Sequence, residues 1–295
     1  MKNIEIIGMP MKYGCFLEGT DLSYDYLKDS LERGFNTTCK KKIDASFDKP
    51  KEHKNDEKIK YLEPVMEINK RLYKNVYNSI ENDNIPIIIG GDHSSCVGSI
   101  SAALDYYKGD VSVIYIDKHA DIHNEKTTPS GNIHGMPLSV CIGRCDERFD
   151  IGSFKLKPEN LYFIGLGNFE QEEIDYINEA NIYHKMESEV NKNTIENIVD
   201  EILSKIKTKY VHISFDFDVI KDEDFHAVNV AVENTYQDDK GISYSDALKI
   251  FETLLPKVNL SSMDIVEYNP LLDEDGIYKE KAEKLFETIN KNIKK

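Results

Sequence analysis

Short apolar runs alternate with longer amphipathic segments along most of this 295-residue chain. Asn3–Gly8, Ile85–Ile89, Val111–Ile116, Leu161–Leu166, Tyr210–Phe215 and Met263–Val266 are β-branched and nearly continuous in apolar character. Strands covered on both faces read this way, because side chains of neither parity meet water. Between these runs apolar residues recur at helical spacing. Pro64–Glu81 places Met66, Ile68, Leu72, Val76 and Ile80 on roughly one face. Leu22–Arg33, Ser95–Tyr107, Ile195–Ile206, Tyr244–Leu255 and Ile277–Ile293 are also read as helices. Thr194 and Ser243 are the expected N-caps of two of them, with Asp246 three residues after Ser243. Strands alternating with such helices predict βαβ units and a parallel sheet. The expected architecture is α/β, a three-layer α/β/α arrangement with a mostly parallel sheet, in one domain over residues 1–295. Lys40–Lys60 interrupts the pattern. It is lysine-rich with interleaved acids and has no apolar period, so it reads as a solvated excursion.

Composition narrows the classes. Basic residues number 37 and acidic ones 53, a net charge of −16. A nucleic-acid or anionic-membrane partner needs a basic face and is not expected. Apolar residues make up 40% of the chain, which is enough for a packed core. No apolar run approaches the ~20 residues of a membrane span. Residues 1–10 pass from one lysine directly into a strand-like run without the core of a signal peptide. The cysteines (Cys15, Cys39, Cys96, Cys141 and Cys145) are odd in number and lack paired metal-finger spacing. Reduced thiols in a cytoplasmic protein are the expectation.

In open parallel sheets, ligands gather beyond the carboxyl ends of the strands. Here those ends carry acids and imidazoles. Ile85–Ile89 runs into Gly90-Gly91-Asp92-His93-Ser94, and Val111–Ile116 into Asp117-Lys118-His119-Ala120-Asp121. Tyr210–Phe215 runs into Asp216-Phe217-Asp218, and Met263–Val266 into Glu267-Tyr268-Asn269-Pro270. Asp117, His119 and Asp121 follow an i, i+2, i+4 spacing, which in extended chain turns all three to one side. Asp216 and Asp218 repeat the i, i+2 step. With His93 the set holds four carboxylates and two imidazoles, which would repel unless cations neutralise them. Such a mixed O/N set suits two hard or borderline divalent ions, Mn²⁺ best. Two such ions can orient a hydroxide on an electrophilic carbon. Lys118 should point away from the ligands, where it needs an acidic partner or a route to solvent.

These residues resemble the arginase/agmatinase (ureohydrolase) family. The matching blocks are GGDHS (Gly90–Ser94), DKHAD (Asp117–Asp121), SGNIHGMP (Ser130–Pro137), SFDFD (Ser214–Asp218) and DIVEYNP (Asp264–Pro270). The SGNIHGMP block is more like arginases than agmatinases. The resemblance implies an arginase-like fold and two Mn²⁺ per subunit. One ion would take His93, Asp117, Asp121 and Asp216, the other Asp117, His119, Asp216 and Asp218. It also implies that Asp121 carries a proton to the leaving nitrogen and that His134 shuttles protons with solvent. Glu267 would pair with a guanidinium, and Ser130 and Asn132 would contact the substrate's α-carboxylate. The implied reaction is hydrolysis of L-arginine to L-ornithine and urea. Agmatinase, guanidinobutyrase and formimidoylglutamase activities are the alternatives, with a non-catalytic metal-binding scaffold further off. A homo-oligomer, trimer or hexamer, is implied as well.

The chain departs from the family in places. Lys118 replaces an alanine, and His123 stands where arginases usually place a carboxylate-binding asparagine. Gly167-Asn168-Phe169-Glu170 replaces a segment with an aspartate for the α-amino group, Glu170 being the nearest equivalent. The stretch Lys221–Val230 is also unlike the family's. These departures leave the ligand set intact and bear on which guanidino substrate is chosen.

Overall fold

The computed structural model describes residues 3–15, 17–47, 59–190, 194–228 and 241–294. Eight strands form one sheet: β1 (Asn3–Gly8), β2 (Lys40–Lys42), β3 (Asn84–Ile89), β4 (Val111–Ile116), β5 (Leu161–Leu166), β6 (Tyr183–Met186), β7 (Tyr210–Asp216) and β8 (Leu260–Val266). Their order is β2-β1-β3-β8-β7-β4-β5-β6, and every neighbouring pair is parallel. The helices are α1 (Ser23–Phe35), α2 (Leu62–Glu81), α3 (Cys96–Tyr106), α4 (Pro137–Ile142), α5 (Gln171–Glu179), α6 (Glu187–Val190), α7 (Ile195–Lys205), α8 (Tyr244–Leu254) and α9 (Ile277–Asn292).

Strand alternation sorts the core into two layers. Ile4, Ile6, Ile87, Ile89, Ile114, Ile116, Ile213 and Phe215 pack with α1, α7, α8 and α9. Ile7, Ile88, Val113, Tyr115 and Phe163 point the other way and pack with α2, α3, α4 and α5. The three-layer expectation therefore holds, and the sheet is wholly parallel. No helix among the described residues is long and apolar enough to cross a membrane.

The start of the lysine-rich stretch corrects the sequence reading. Lys40–Lys42 is an edge strand in register with Ile6–Gly8 of β1. Backbone pairing holds it, so it needs no apolar pattern. Its lysines are paired as well: Lys40 with Glu32, and Lys41 with Glu5 at 3.0 Å. A charged edge of this kind discourages further strand addition. The rest of that stretch, residues 48–58, lies outside the described residues. Ser243 caps α8 as expected, accepting from Asp246 N at 3.1 Å. Thr194 occupies the N-cap of α7, but its side chain makes no capping bond.

The departing stretch after Asp218 is packed as far as residue 228; Asn229 and Val230 lie outside the described residues. Phe225 is fully buried and stacks on Phe217 with ring centroids 4.6 Å apart. Asn269 N donates to Ala227 O at 2.8 Å, tying this segment to the turn after β8.

Candidate metal centre and active site

Because the sheet is parallel, the C-terminal ends of β3, β8, β7 and β4 stand side by side on one edge. The chain leaves each of them sharply. After β3, Gly90 and Gly91 adopt φ of 86° and 80°. A Cβ on Gly91 would stand 2.6 Å from Met9 O, so backbone packing as well as conformation requires glycine there. Asp92 caps the following turn, accepting from Gly14 N at 2.8 Å and Ser94 N at 3.0 Å. It therefore supports His93 and is not a ligand.

Asp121 and Glu267 are non-glycine residues with φ of 48° and 64°. Backbone strain of this kind clusters at functional sites. It also revises the expected geometry after β4. The run from Asp117 to Asp121 does not stay extended, and its three ligand candidates do not form one row. Asp117 instead joins two clusters, one with His93 and Asp121, the other with His119 and Asp218.

In the first cluster, His93 Nδ1 lies 2.9 Å from Asp117 Oδ2, 3.3 Å from Asp121 Oδ2 and 3.0 Å from Asp216 Oδ2. In the second, His119 Nδ1 lies 3.1 Å from Asp218 Oδ2 and 3.6 Å from Asp117 Oδ1. The other ring nitrogen of His93 meets Ser214 Oγ at 2.9 Å, which holds the imidazole with Nδ1 toward the acids.

The electrostatics match the crowding. Burial drives the Asp121 carboxyl up to about 7, with the Asp117 charge adding to the rise. Burial and Asp218 raise Asp216 well above the carboxylate range. Burial pushes His93 and His119 downward, but the acids beside them more than reverse it and both end well above the usual imidazole value. Of seven buried side-chain polar atoms without a hydrogen-bond partner among the described residues, three lie here: His93 Nδ1, Asp117 Oδ2 and Asp218 Oδ1. Orphaned donors and acceptors in a dry interior are costly and rare. All three belong to the two clusters, and cations would satisfy them. The donor set fits divalent metal.

A cleft of about 440 Å³ opens over the clusters. His93, His119, Asp121, Asp216 and Asp218 line its floor side, and Asp117 is buried beneath. Glu267, His134, His123, Ser130, Asn132 and Glu170 line it as well, so the candidate metal, catalytic and substrate-binding residues all line this one cleft except Asp117. Glu267 Oε1 accepts from His93 N at 2.8 Å and lies 3.8 Å from His134 Nδ1. Burial lowers His134, but Glu267 more than offsets this and lifts it to about 9. Ser130 is exposed and accepts from Asn132 N at 3.1 Å. Lys118 is buried, and its side chain has no ion pair among the described residues. Its carbonyl accepts from Gly167 N and Asn168 N, which fastens β4 to β5 beside the cleft.

Glu173 escaped the sequence reading. It is almost fully buried and accepts from Ile122 N and Glu170 N, both at 3.1 Å. His123 Nε2 lies 3.1 Å from Glu170 Oε2 and 3.6 Å from Glu173 Oε2. The spacing of Glu173 three residues after the helix-capping Glu170 was the available signal.

A family model described as Arginase family matches residues 2–289. An arginase of Staphylococcus aureus is 31% identical over 302 residues, covering 98% of this chain and 97% of that one. The crystal structure of Entamoeba histolytica arginase in complex with L-ornithine superposes with a TM-score of 0.88 at 27% identity, covering 98% of each chain. The native Bacillus caldovelox arginase structure gives 0.89 at 27% identity over the same shares.

Proposed function

The chain belongs to the arginase family, and from that premise we infer that it is a hydrolase of the guanidino carbon–nitrogen bond, converting L-arginine to L-ornithine and urea. Arginases depend on metal. We assign two Mn²⁺, one to His93, Asp117, Asp121 and Asp216 and one to Asp117, His119, Asp216 and Asp218. The observation that carries this reading is the pair of donor clusters sharing Asp117, with Glu267 across the same cleft. The same reading makes the protein a cytoplasmic homo-oligomer, trimer or hexamer, with residues 1–295 acting as one unit.

When bound, the ions supply a water that ionises near neutral pH. The chain does the rest. The Glu267 carboxylate anchors the planar guanidinium by charge-assisted hydrogen bonds. Its fixed place, braced by His93 N, sets the reacting carbon above the clusters. Asp121 takes up a proton at its carboxylate and passes it to the leaving nitrogen. His134, held protonated beside Glu267, returns protons between the site and solvent. Ser130 and Asn132 offer hydroxyl and amide groups to an α-carboxylate at the cleft mouth. His123, Glu170 and Glu173 form an acid–imidazole group suited to an α-amino end.

The test is urea release with Mn²⁺ from arginine, agmatine and guanidinobutyrate, and formamide release from formiminoglutamate. The expected result is kcat/KM highest for arginine. Agmatine lacks the carboxylate and forgoes its hydrogen bonds to Ser130 and Asn132, each worth about 1 kcal/mol at this partly solvated mouth. Equal or greater kcat/KM for agmatine would reject the arginine assignment, and no release from any compound would leave a scaffold.

A further inference from the structure

Tyr115 lies under the site, fully buried on β4. It stands two residues before Asp117, and its side chain packs into the α2–α3 layer. Its ring stacks on the His93 imidazole, with centroids 4.5 Å apart and planes within 8°. Phe163 of β5 meets the same ring edge-on at 5.7 Å. The phenol O–H donates to Asp121 Oδ2 at 2.8 Å. That same oxygen lies 3.3 Å from His93 Nδ1. One side chain therefore grips two ligand candidates, His93 through its face and Asp121 through its hydroxyl.

Packing alone does not explain a tyrosine here. A phenylalanine would fill almost the same space and bring no polar atom into a dry layer. A buried hydroxyl is tolerated when it is hydrogen-bonded, and the acceptor is the carboxylate that the site depends on. Asp121 needs the hold. Its backbone sits at φ 48°, and the carboxylate torsion of aspartate is intrinsically broad.

We propose that Tyr115 is a positioning residue: it fixes the Asp121 carboxylate and the His93 ring in the orientation that receives Mn²⁺. With the phenol donating to Oδ2, the carboxylate cannot swing away from His93. With the ring stacked, His93 cannot tilt out of line with Ser214 and Asp117. Removing such supporting contacts at metal sites typically costs 10–100-fold in metal affinity or activity.

This inference rests on the metallohydrolase reading, so the experiment separates the two. Tyr115→Phe keeps the stack and deletes the donor; Tyr115→Leu deletes both. Mn²⁺ affinity is measured by titration calorimetry on metal-free protein, with its melting temperature, and then kcat and KM for arginine. Tyr115→Phe should weaken Mn²⁺ binding and lower kcat by about tenfold each. KM should stay within about twofold, and the metal-free melting temperature within about 3 °C. Tyr115→Leu should lose more affinity and also melt earlier. Unchanged Mn²⁺ affinity and kcat in Tyr115→Phe would overturn the proposal. So would a fall in metal-free melting temperature that tracks the affinity loss, because it would mark a packing role. If wild type releases no urea yet Tyr115→Phe still weakens Mn²⁺ binding, the hydrolase reading fails and the positioning role stands.

Discussion

Asp121 carries a left-handed backbone, a hydrogen bond from Tyr115 and a carboxyl driven up to about 7 by burial and Asp117. Asparagine adopts the same backbone readily, so Asp121→Asn should keep the local fold and lose the proton carrier. Turnover should fall at least ~100-fold, the scale of lost acid–base catalysis, and this is checked by kcat alongside elemental Mn²⁺ content. Near-normal turnover at full occupancy would remove Asp121 from the chemistry. His134→Asn should lower kcat more than it raises KM, and imidazole in the buffer should restore part of it. A pure KM effect would make His134 a binding residue. At this scale the ligand candidates were legible because each is a chemistry-bearing residue at the end of an apolar run. Tyr115 was not, because its role arises from what packs beside it, and Glu173 showed only its capping-box spacing and not its burial at the site. No local pattern tells a supporting tyrosine from a core one.

Among the elements, α5 shows most clearly what was hidden. Gln171–Glu179 buries only Glu173 and Ile177, too few positions for an amphipathic signal. β6 was hidden for a similar reason, since Tyr-His-Lys-Met contains no apolar run. The central strands and long helices were legible because they bury an unbroken apolar set. Yet α5 delivers Glu173 to the cleft, and burial with Glu170 as neighbour raises its carboxyl to about 8. The groups facing it are Glu170, pulled down to about 2 chiefly by its His123 hydrogen bond, and His123 itself. Glu173 therefore binds a proton more tightly in the folded chain than its ordinary value of 4.5. Between about pH 4.5 and 8 the native state holds the extra proton, so this group's contribution to stability declines as pH rises through that window. Glu173→Gln cannot titrate, and its melting temperature should fall less between pH 5 and pH 8.5 than that of wild type. Thermal melts of both proteins across that range check this, and parallel curves would show that Glu173 does not hold the proton.

For the whole molecule, chain order and the parallel rule place the site. Crossover connections return every strand in the same sense, so four distant segments deliver acids and imidazoles to one edge. That much followed from the alternation of strands and helices. The order β3-β8-β7-β4 did not, since it depends on which helix layer each crossover takes. The assembled edge concentrates negative charge in a chain already at −16; it buries Asp218 Oδ1 without a hydrogen bond and leaves His93 Nδ1 and Asp117 Oδ2 facing only each other and the neighbouring acids. Folding without metal therefore works against both repulsion and desolvation. A ligand that binds only the native state stabilises it by about 2.7 kcal/mol at a hundredfold excess over its Kd. In a chain of this size that corresponds to a rise of roughly 5 °C in melting temperature. Mn²⁺ should produce such a shift at micromolar to millimolar concentrations, and EDTA should reverse it. Loose binding of cations to the acidic surface predicts something different: a shift shared by Mg²⁺, weakened by salt and indifferent to single ligands. Asp117→Asn distinguishes the two, because Asp117 belongs to both clusters. If the clusters are the binding site, the Mn²⁺ shift should largely vanish in Asp117→Asn, and its metal-free protein should melt below wild type. Burial raises the Asp117 carboxyl, but His119 and His93 more than reverse this and hold it below the usual carboxylate range, and in the variant they lose that partner. An undiminished Mn²⁺ shift in that variant would place the stabilising ions elsewhere on the molecule.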